Sequence, residues 1–328
     1  GLLSGGVATS KIRLDGTVGS GQSIVRLTNS SNTVTLSEWE LWRGALEFTS
    51  DGALGNSGNA IRLNVGASSD PVGTGLRFGA DNITLASTRN VIIADRTNIN
   101  TLNYTGSQID GAVTFNNTLV KKGSTTLTLN GTASGTGGIR VDEGTVRIGS
   151  GGTTGAVGSG GIALQTSSTS IIIDRSNAVT LSNAITGTGT LTKNAAGTAT
   201  LSGTNTYSGG TTISGGRIAI GAASNIGTGN IAFTTVGTGL EITGTAVTLS
   251  NNISLPTSGS GNITLLTAGN SATVLNGTIS GGGSGTVLYF QGGGQGQNTG
   301  ALTLNGNNTG LTGTINVQRG PLILGNSN

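Results

Sequence analysis

The chain has no cysteine, no histidine and no methionine, and only three prolines in 328 residues. Without cysteine there is no disulfide framework, no thiolate metal site and no cysteine nucleophile. Without histidine the Ser/His/Asp triad, the usual metal ligand and the commonest general base disappear together. Charge is also scarce, at 9% of residues against about 25% in an ordinary domain. The net charge of +3 gives a pI of 9.6 only because so few groups titrate. Nucleic-acid binders concentrate Lys and Arg on one face, whereas the longest basic run here is Lys121 and Lys122, so no nucleic-acid partner is expected. No apolar stretch approaches the roughly 20 residues that span a bilayer, which argues against membrane insertion by this segment. The start at Gly1 offers neither an initiator methionine nor a signal sequence, so the chain is expected to be part of something longer.

What is abundant is glycine, with 61 residues. Glycine costs about 1 kcal/mol per helical position, and no apolar stripe of helical period survives it. Disordered chains are typically charged and poor in β-branched residues, but Ile, Val and Thr recur here at strand spacing. An ordered all-β protein follows.

Four copies of one segment recur. Around Gly144 runs Ile139, Arg140, Val141, Asp142, Glu143, Gly144, Thr145, Val146, Arg147, Ile148, and the same frame surrounds Gly216 and Gly320, with a diverged copy at Trp39 to Phe48 around Gly44. Lys121, Leu129, Gly131, Val141, Gly144 and Ile148 match Lys193, Leu201, Gly203, Ile213, Gly216 and Ile220 at a constant offset of 72. Val179 to Ile185 matches Val247 to Ile253 at an offset of 68. Self-similar units stack on one another, so the chain should form one continuous parallel β-solenoid over 1–328, with modules centred near 44, 144, 216 and 320. At about 20 to 25 residues per coil, roughly 14 coils would stack at about 4.8 Å into a rod on the order of 65 to 70 Å long. Alternation points Ile139, Val141, Val146 and Ile148 inward and Arg140, Asp142, Thr145 and Arg147 outward. Parity breaks at Glu143 and Gly144, where the coil must turn. By the same alignment Trp39 and Val317 are inward and Trp42 outward.

Leu191 to Ile220, LTKNAAGTATLSGTNTYSGGTTISGGRIAI, resembles the autotransporter-associated β-strand repeat, or passenger-associated transport repeat. The resemblance rests on Lys193, Gly197, Leu201, Gly203, Asn205, Tyr207, Gly209, Thr211, Ile213 and Gly216. The copy ending at Ile148 has Gly135 at the tyrosine position, and the last copy has Leu311. The resemblance implies a right-handed parallel β-helix from a long bacterial passenger, exported ahead of a C-terminal β-barrel, with no catalytic residues to carry over.

Paired carboxylates need weighing, because glycoside hydrolysis uses two of them about 5 to 10 Å apart. Asp142 with Glu143, and Glu38, Glu40, Glu47 and Asp51, are the candidates, although charged strand residues usually form a solvated face. Asp95 with Arg96 and Asp174 with Arg175 are expected to be surface pairs. The glycine clusters at Gly281 to Gly285 and Gly292 to Gly296 contain no aspartate for a calcium β-roll and no lysine for a phosphate loop. Trp42 beside Glu40 could stack on a sugar ring; covering a loop or a neighbouring chain is the plainer role for such an aromatic.

The expected function is therefore a non-enzymatic stalk or fibre segment of a large secreted or surface-displayed bacterial protein, needing no cofactor or metal. Its expected partners are further solenoid chain or end-to-end copies of itself, and cell-surface glycans. Two alternatives stand beside it: a carbohydrate-binding or carbohydrate-cleaving β-helix using Trp42 and Glu40, and an adhesin binding through its lateral face.

Overall fold

A computed structural model describes residues 1–15, 23–64, 75–267, 272–292 and 300–325. These residues form 35 short strands and no α-helix, with single 3-10 turns at Asp51–Leu54 and Ala223–Asn225. The strands build parallel sheets arranged as a β-solenoid of about 12 turns, close to the roughly 14 expected. The step between stacked strands is not constant: it is 19 residues from Thr126 to Thr145 but 30 from Ile61 to Val91. Contacts divide the chain into two compact units, residues 1–150 with 154–171 and residues 151–153 with 172–328.

In the first unit Lys11–Asp15, Glu38–Arg43, Ala60–Leu63, Val91–Ile93, Val113–Phe115 and Ala133–Ser134 follow one another in a six-stranded parallel sheet. Exact stacking of like positions makes interior ladders, such as Trp39, Ile61, Val91 and Val113, each nearly or fully buried. Phe48 stacks on Phe78 in the neighbouring sheet with ring centroids 5.0 Å apart. Burial of each such side chain stabilises by about 1.5 to 3 kcal/mol, which lets a chain with so few charges and no disulfide hold together.

The second unit works the same way. Val179–Leu181, Thr198–Leu201, Arg217–Ile220, Thr238–Ile242, Gly261–Thr267, Thr286–Gly292 and Thr314–Arg319 form a seven-stranded sheet. Its interior ladder runs Ala199, Ile218, Leu240, Leu265, Phe290 and Val317. Val317 keeps the inward register but is 41% exposed, a correction to its expected burial. Its strand is the last in the order of this sheet, so only one neighbouring strand covers it.

The recurring glycine has the backbone its position demands. Gly44, Gly144, Gly216 and Gly320 all have φ between +59° and +79°. A Cβ on Gly144 would lie 2.5 Å from the carbonyl oxygens of Gly123 and Thr125 one turn away. Both the left-handed backbone and the close stacking therefore exclude a side chain. In the two outer copies the parity break is also a β-bulge. Leu14 pairs with Leu41 and Asp15 with Arg43, leaving Trp42 as the extra residue, and Phe290 with Val317 and Gln291 with Arg319 leave Gln318.

Candidate functional site

Two stretches, 119–148 and 191–220, share one local construction. In the first, Leu119–Lys122 and Thr126–Leu129 form an arch that the next turn, Ile139–Val141 and Thr145–Ile148, covers in register. In the second, Thr190–Lys193 and Thr198–Leu201 are covered by Thr211–Ile213 and Arg217–Ile220. Inside each arch lies a lysine. Lys121 stands in a ladder between Ile99 and Val141 and is fully buried; Lys193 lies beneath Ile213 and is also fully buried.

A buried ammonium must have its donors satisfied. Lys121 Nζ donates to the carbonyl oxygens of Lys122 at 2.8 Å, Gly123 at 2.7 Å and Glu143 at 3.2 Å. Lys193 Nζ donates to the carbonyls of Asn194 and Ala195, the latter at 2.7 Å. Lys121 shares the Lys122 carbonyl with the Thr101 backbone N–H, and each lysine also takes up a carbonyl of the following turn, Gly123 or Ala195. Burial pushes Lys121 down to about 7, opposed by Glu143, and Lys193 down to about 8, opposed by Asp174. Glu143 also closes the arch from above, its Oε2 accepting from the Gly123 backbone N–H at 2.8 Å.

The basic run of Lys121 and Lys122 is thereby split, with Lys121 inside the arch. Leu119 and Lys121 share strand parity, and the lysine returns at Lys193; together these were the signal for an inward lysine. Asp174, expected at the surface, is likewise buried. Asp95 does not pair with the Arg96 side chain: its Oδ1 accepts from the Arg96 backbone N–H at 2.7 Å and from Asn117 at 3.2 Å.

Tyr207 is buried, and its hydroxyl shares a 2.6 Å hydrogen bond with Thr211 Oγ1. Burial raises its pKa above the ordinary value. A Cβ on Gly227 would meet the Tyr207 ring at 2.6 Å, so the aromatic fills the space that this glycine opens. Where the other copy has Gly135, the ring of Phe115 lies against Gly158 in a similar way.

The candidate ligand-stacking pair is brought together. Trp42 is 40% exposed, and its Nε1 donates to Glu40 Oε2 at 3.4 Å. The Arg13 guanidinium lies 4.3 Å from the centroid of the Trp42 ring. Trp39 is buried, with Nε1 donating to the Leu54 carbonyl at 3.0 Å. Lys11 Nζ bridges Glu38 at 2.5 Å and Glu40 at 2.6 Å, while Arg62 Nε meets Glu38 Oε2 at 2.9 Å. The Lys11 hydrogen bond holds Glu40 below the usual carboxylate range. A glycosidase acid needs the opposite shift, so Glu40 is ill suited to general acid catalysis.

The other carboxylates are also engaged. Asp142 meets Arg140 Nε at 2.5 Å and Lys122 Nζ at 3.6 Å. Glu47 lies between Arg26 at 2.8 Å and Arg77 at 3.4 Å. Asp51 meets the fully buried Arg89 at 2.6 Å. Among the described residues no group of three potential ligands gathers as a metal site. A 340 Å³ concavity beside Asp110 and Asn130 offers one carboxylate, and Asp110 Oδ1 already accepts from Gln108 and Asn130.

No curated protein and no solved structure matches the chain. Residues 119–148 and 191–220 match the family model of the passenger-associated transport repeat. The two matched stretches coincide with the two lysine-bearing arches, and the chain therefore carries two repeats of the kind found in autotransporter passenger proteins.

Proposed function

We propose that this chain is a non-enzymatic structural segment of a large secreted or surface-displayed passenger, acting as a rigid spacer or fibre element. The observation that carries this reading is the agreement between repeat and architecture. Each matched stretch is one lysine-bearing arch and the turn that covers it, with the polar interior group, the lysine, spent on backbone carbonyls. Carboxylates engaged in ion pairs, and Glu40 held ionised, support a role without catalysis. Partners of this kind of segment are further solenoid chain or copies of itself.

Incubation with a panel of plant and bacterial polysaccharides, with and without chelator, tests the absence of turnover. Negative-stain electron micrographs test the spacer role. Turnover that disappears in Glu40→Gln, or compact particles in place of rods, would overturn the proposal. The adhesin reading is favoured by one observation, the exposed Trp42 in contact with Arg13 on the outer face of a sheet.

A further inference from the structure

The outward face of Lys11–Asp15, Glu38–Arg43 and Ala60–Leu63 carries its charges unevenly. Toward the start of these strands two carboxylates, Glu38 and Glu40, meet two cations, Lys11 and Arg62. Toward their end Asp15 alone serves two guanidinium groups. Arg13 Nη2 is 3.0 Å from Asp15 Oδ2, and Arg43 Nε is 4.0 Å from Asp15 Oδ1, beyond hydrogen-bond distance. The Arg13 and Arg43 side chains are 52% and 59% exposed. This end therefore has an excess positive charge and, among the described residues, guanidinium donors without acceptors.

Trp42 faces solvent beside Arg13 because of the bulge. In a regular strand Arg43 would return to the interior, but the extra residue lets Trp42 and Arg43 both face solvent. The Arg13 guanidinium carbon lies 4.3 Å from the centroid of the indole, a cation–π contact, while its Nη2 donates to Asp15 Oδ2 at 3.0 Å and the side chain stays half exposed. An arginine held in this way loses less freedom on binding an oxyanion, and a planar fork suits a carboxylate.

We propose that Trp42, Arg13 and Arg43 form a binding site for a carboxylate-bearing sugar of an acidic polysaccharide. The sugar carboxylate bridges the two guanidinium groups, and the C–H face of its ring packs on the exposed part of the indole. An acidic peptide satisfies the charge but brings no flat C–H face, so the saccharide is the better fit. This inference is independent of the spacer proposal.

The test uses the full chain with oligogalacturonate, the same oligomer fully methyl-esterified, and oligoglutamate of matched charge. Trp39 is buried and Trp42 exposed, so acrylamide quenching of intrinsic fluorescence reports Trp42. The expected result is that oligogalacturonate shields Trp42 from acrylamide. By calorimetry the ester, and the variants Arg43→Gln and Trp42→Ala, should bind about tenfold or more weakly, the loss of one charge-assisted contact. Arg217→Gln, in the other unit, should bind as the parent does, and circular dichroism should confirm that every variant is folded. No binding, equal binding of the ester, unchanged binding by folded Arg43→Gln, or oligoglutamate binding as tightly as the sugar would each overturn the proposal.

Discussion

Gly123 and Ala195 occupy the same position in the two repeats, and each gives its carbonyl oxygen, at 2.7 Å, to the buried lysine two residues before it. Both have positive φ, +86° at Gly123 and +46° at Ala195. An L side chain in that region costs about 1 to 2 kcal/mol, of which glycine's extra unfolded-state freedom returns part. Ala195→Gly should therefore stabilise by about 0.5 to 1 kcal/mol in urea denaturation. Gly123→Ala should do the reverse and by more, because its Cβ would lie 2.5 Å from the Leu102 nitrogen. Equal and opposite effects would show that the backbone alone, not the stacking, decides.

The buried lysines give stability a pH dependence. Lys121 titrates at about 7 when folded and at 10.5 when unfolded, and Lys193 at about 8. Between those values the unfolded chain binds more protons, so stability rises with pH, from about 7 or 8 up to 10.5. Below the folded pKa both states are protonated and the dependence is flat. Each lysine contributes a slope of up to about 1.4 kcal/mol per pH unit. Lys121→Met and Lys193→Met should each remove one share of the slope, measured as the urea midpoint from pH 6 to 11; an unchanged slope would place the lysines in contact with water.

Interior and exterior positions differ by neighbouring residues. Val141→Asp and Ile213→Asp bury an unpaired charge and should cost several kcal/mol, whereas Ser214→Asp should stay within about 0.5 kcal/mol. Val317→Asp should cost less than the first two because Val317 is 41% exposed. Thermal melts of the set would reverse the assigned pleat if Ser214→Asp were the worst.

Arg89 holds the 3-10 turn at Asp51–Leu54 from inside. It donates to Asp51 Oδ1 at 2.6 Å, to the Asn59 carbonyl at 2.8 Å and to the Gly55 carbonyl at 3.2 Å while itself fully buried. Arg89→Ala takes away the donor of the two carbonyls and leaves Asp51 Oδ1 only the Ala86 backbone N–H, and should cost about 3 to 5 kcal/mol. Arg89→Lys should recover only part of it, since one ammonium cannot reproduce the planar fork. Full recovery by lysine would make charge, not geometry, the requirement.

The strand ladders were legible from alternation because burial on one side of a strand leaves a mark at every second residue. Ile139, Val141, Val146 and Ile148 are buried as that pattern requires, and Gly144 and Gly216 turn where parity breaks. Asp174 departs from the pattern: alternation in Ser170–Ile173 buries Ile171 and Ile173 and points position 174 outward, yet Asp174, just beyond the strand end, is buried. Trp42 is exposed as its alignment implies, but Lys11 and Arg13, which meet Glu40 and Trp42, lie a whole turn earlier in sequence, and only the register reveals which residues meet across it. Arg89 and Asp51 are farther apart still and belong to corners, where no alternation guides the reading.

Among the described residues each strand pairs only with the strands one turn before and after it, and steps of 19 to 30 residues leave that pairing intact. Selection on such a chain is local. A substitution need satisfy only its two ladder neighbours, and an insertion at a corner displaces nothing across the stack. Ancestral resemblance should then erode fastest in the corners and the plain aliphatic ladders, where many residues serve equally well. It should last longest where a lysine, a turn of carbonyls and a glycine constrain one another within a single arch, and the two stretches recognisable as family repeats are those arches.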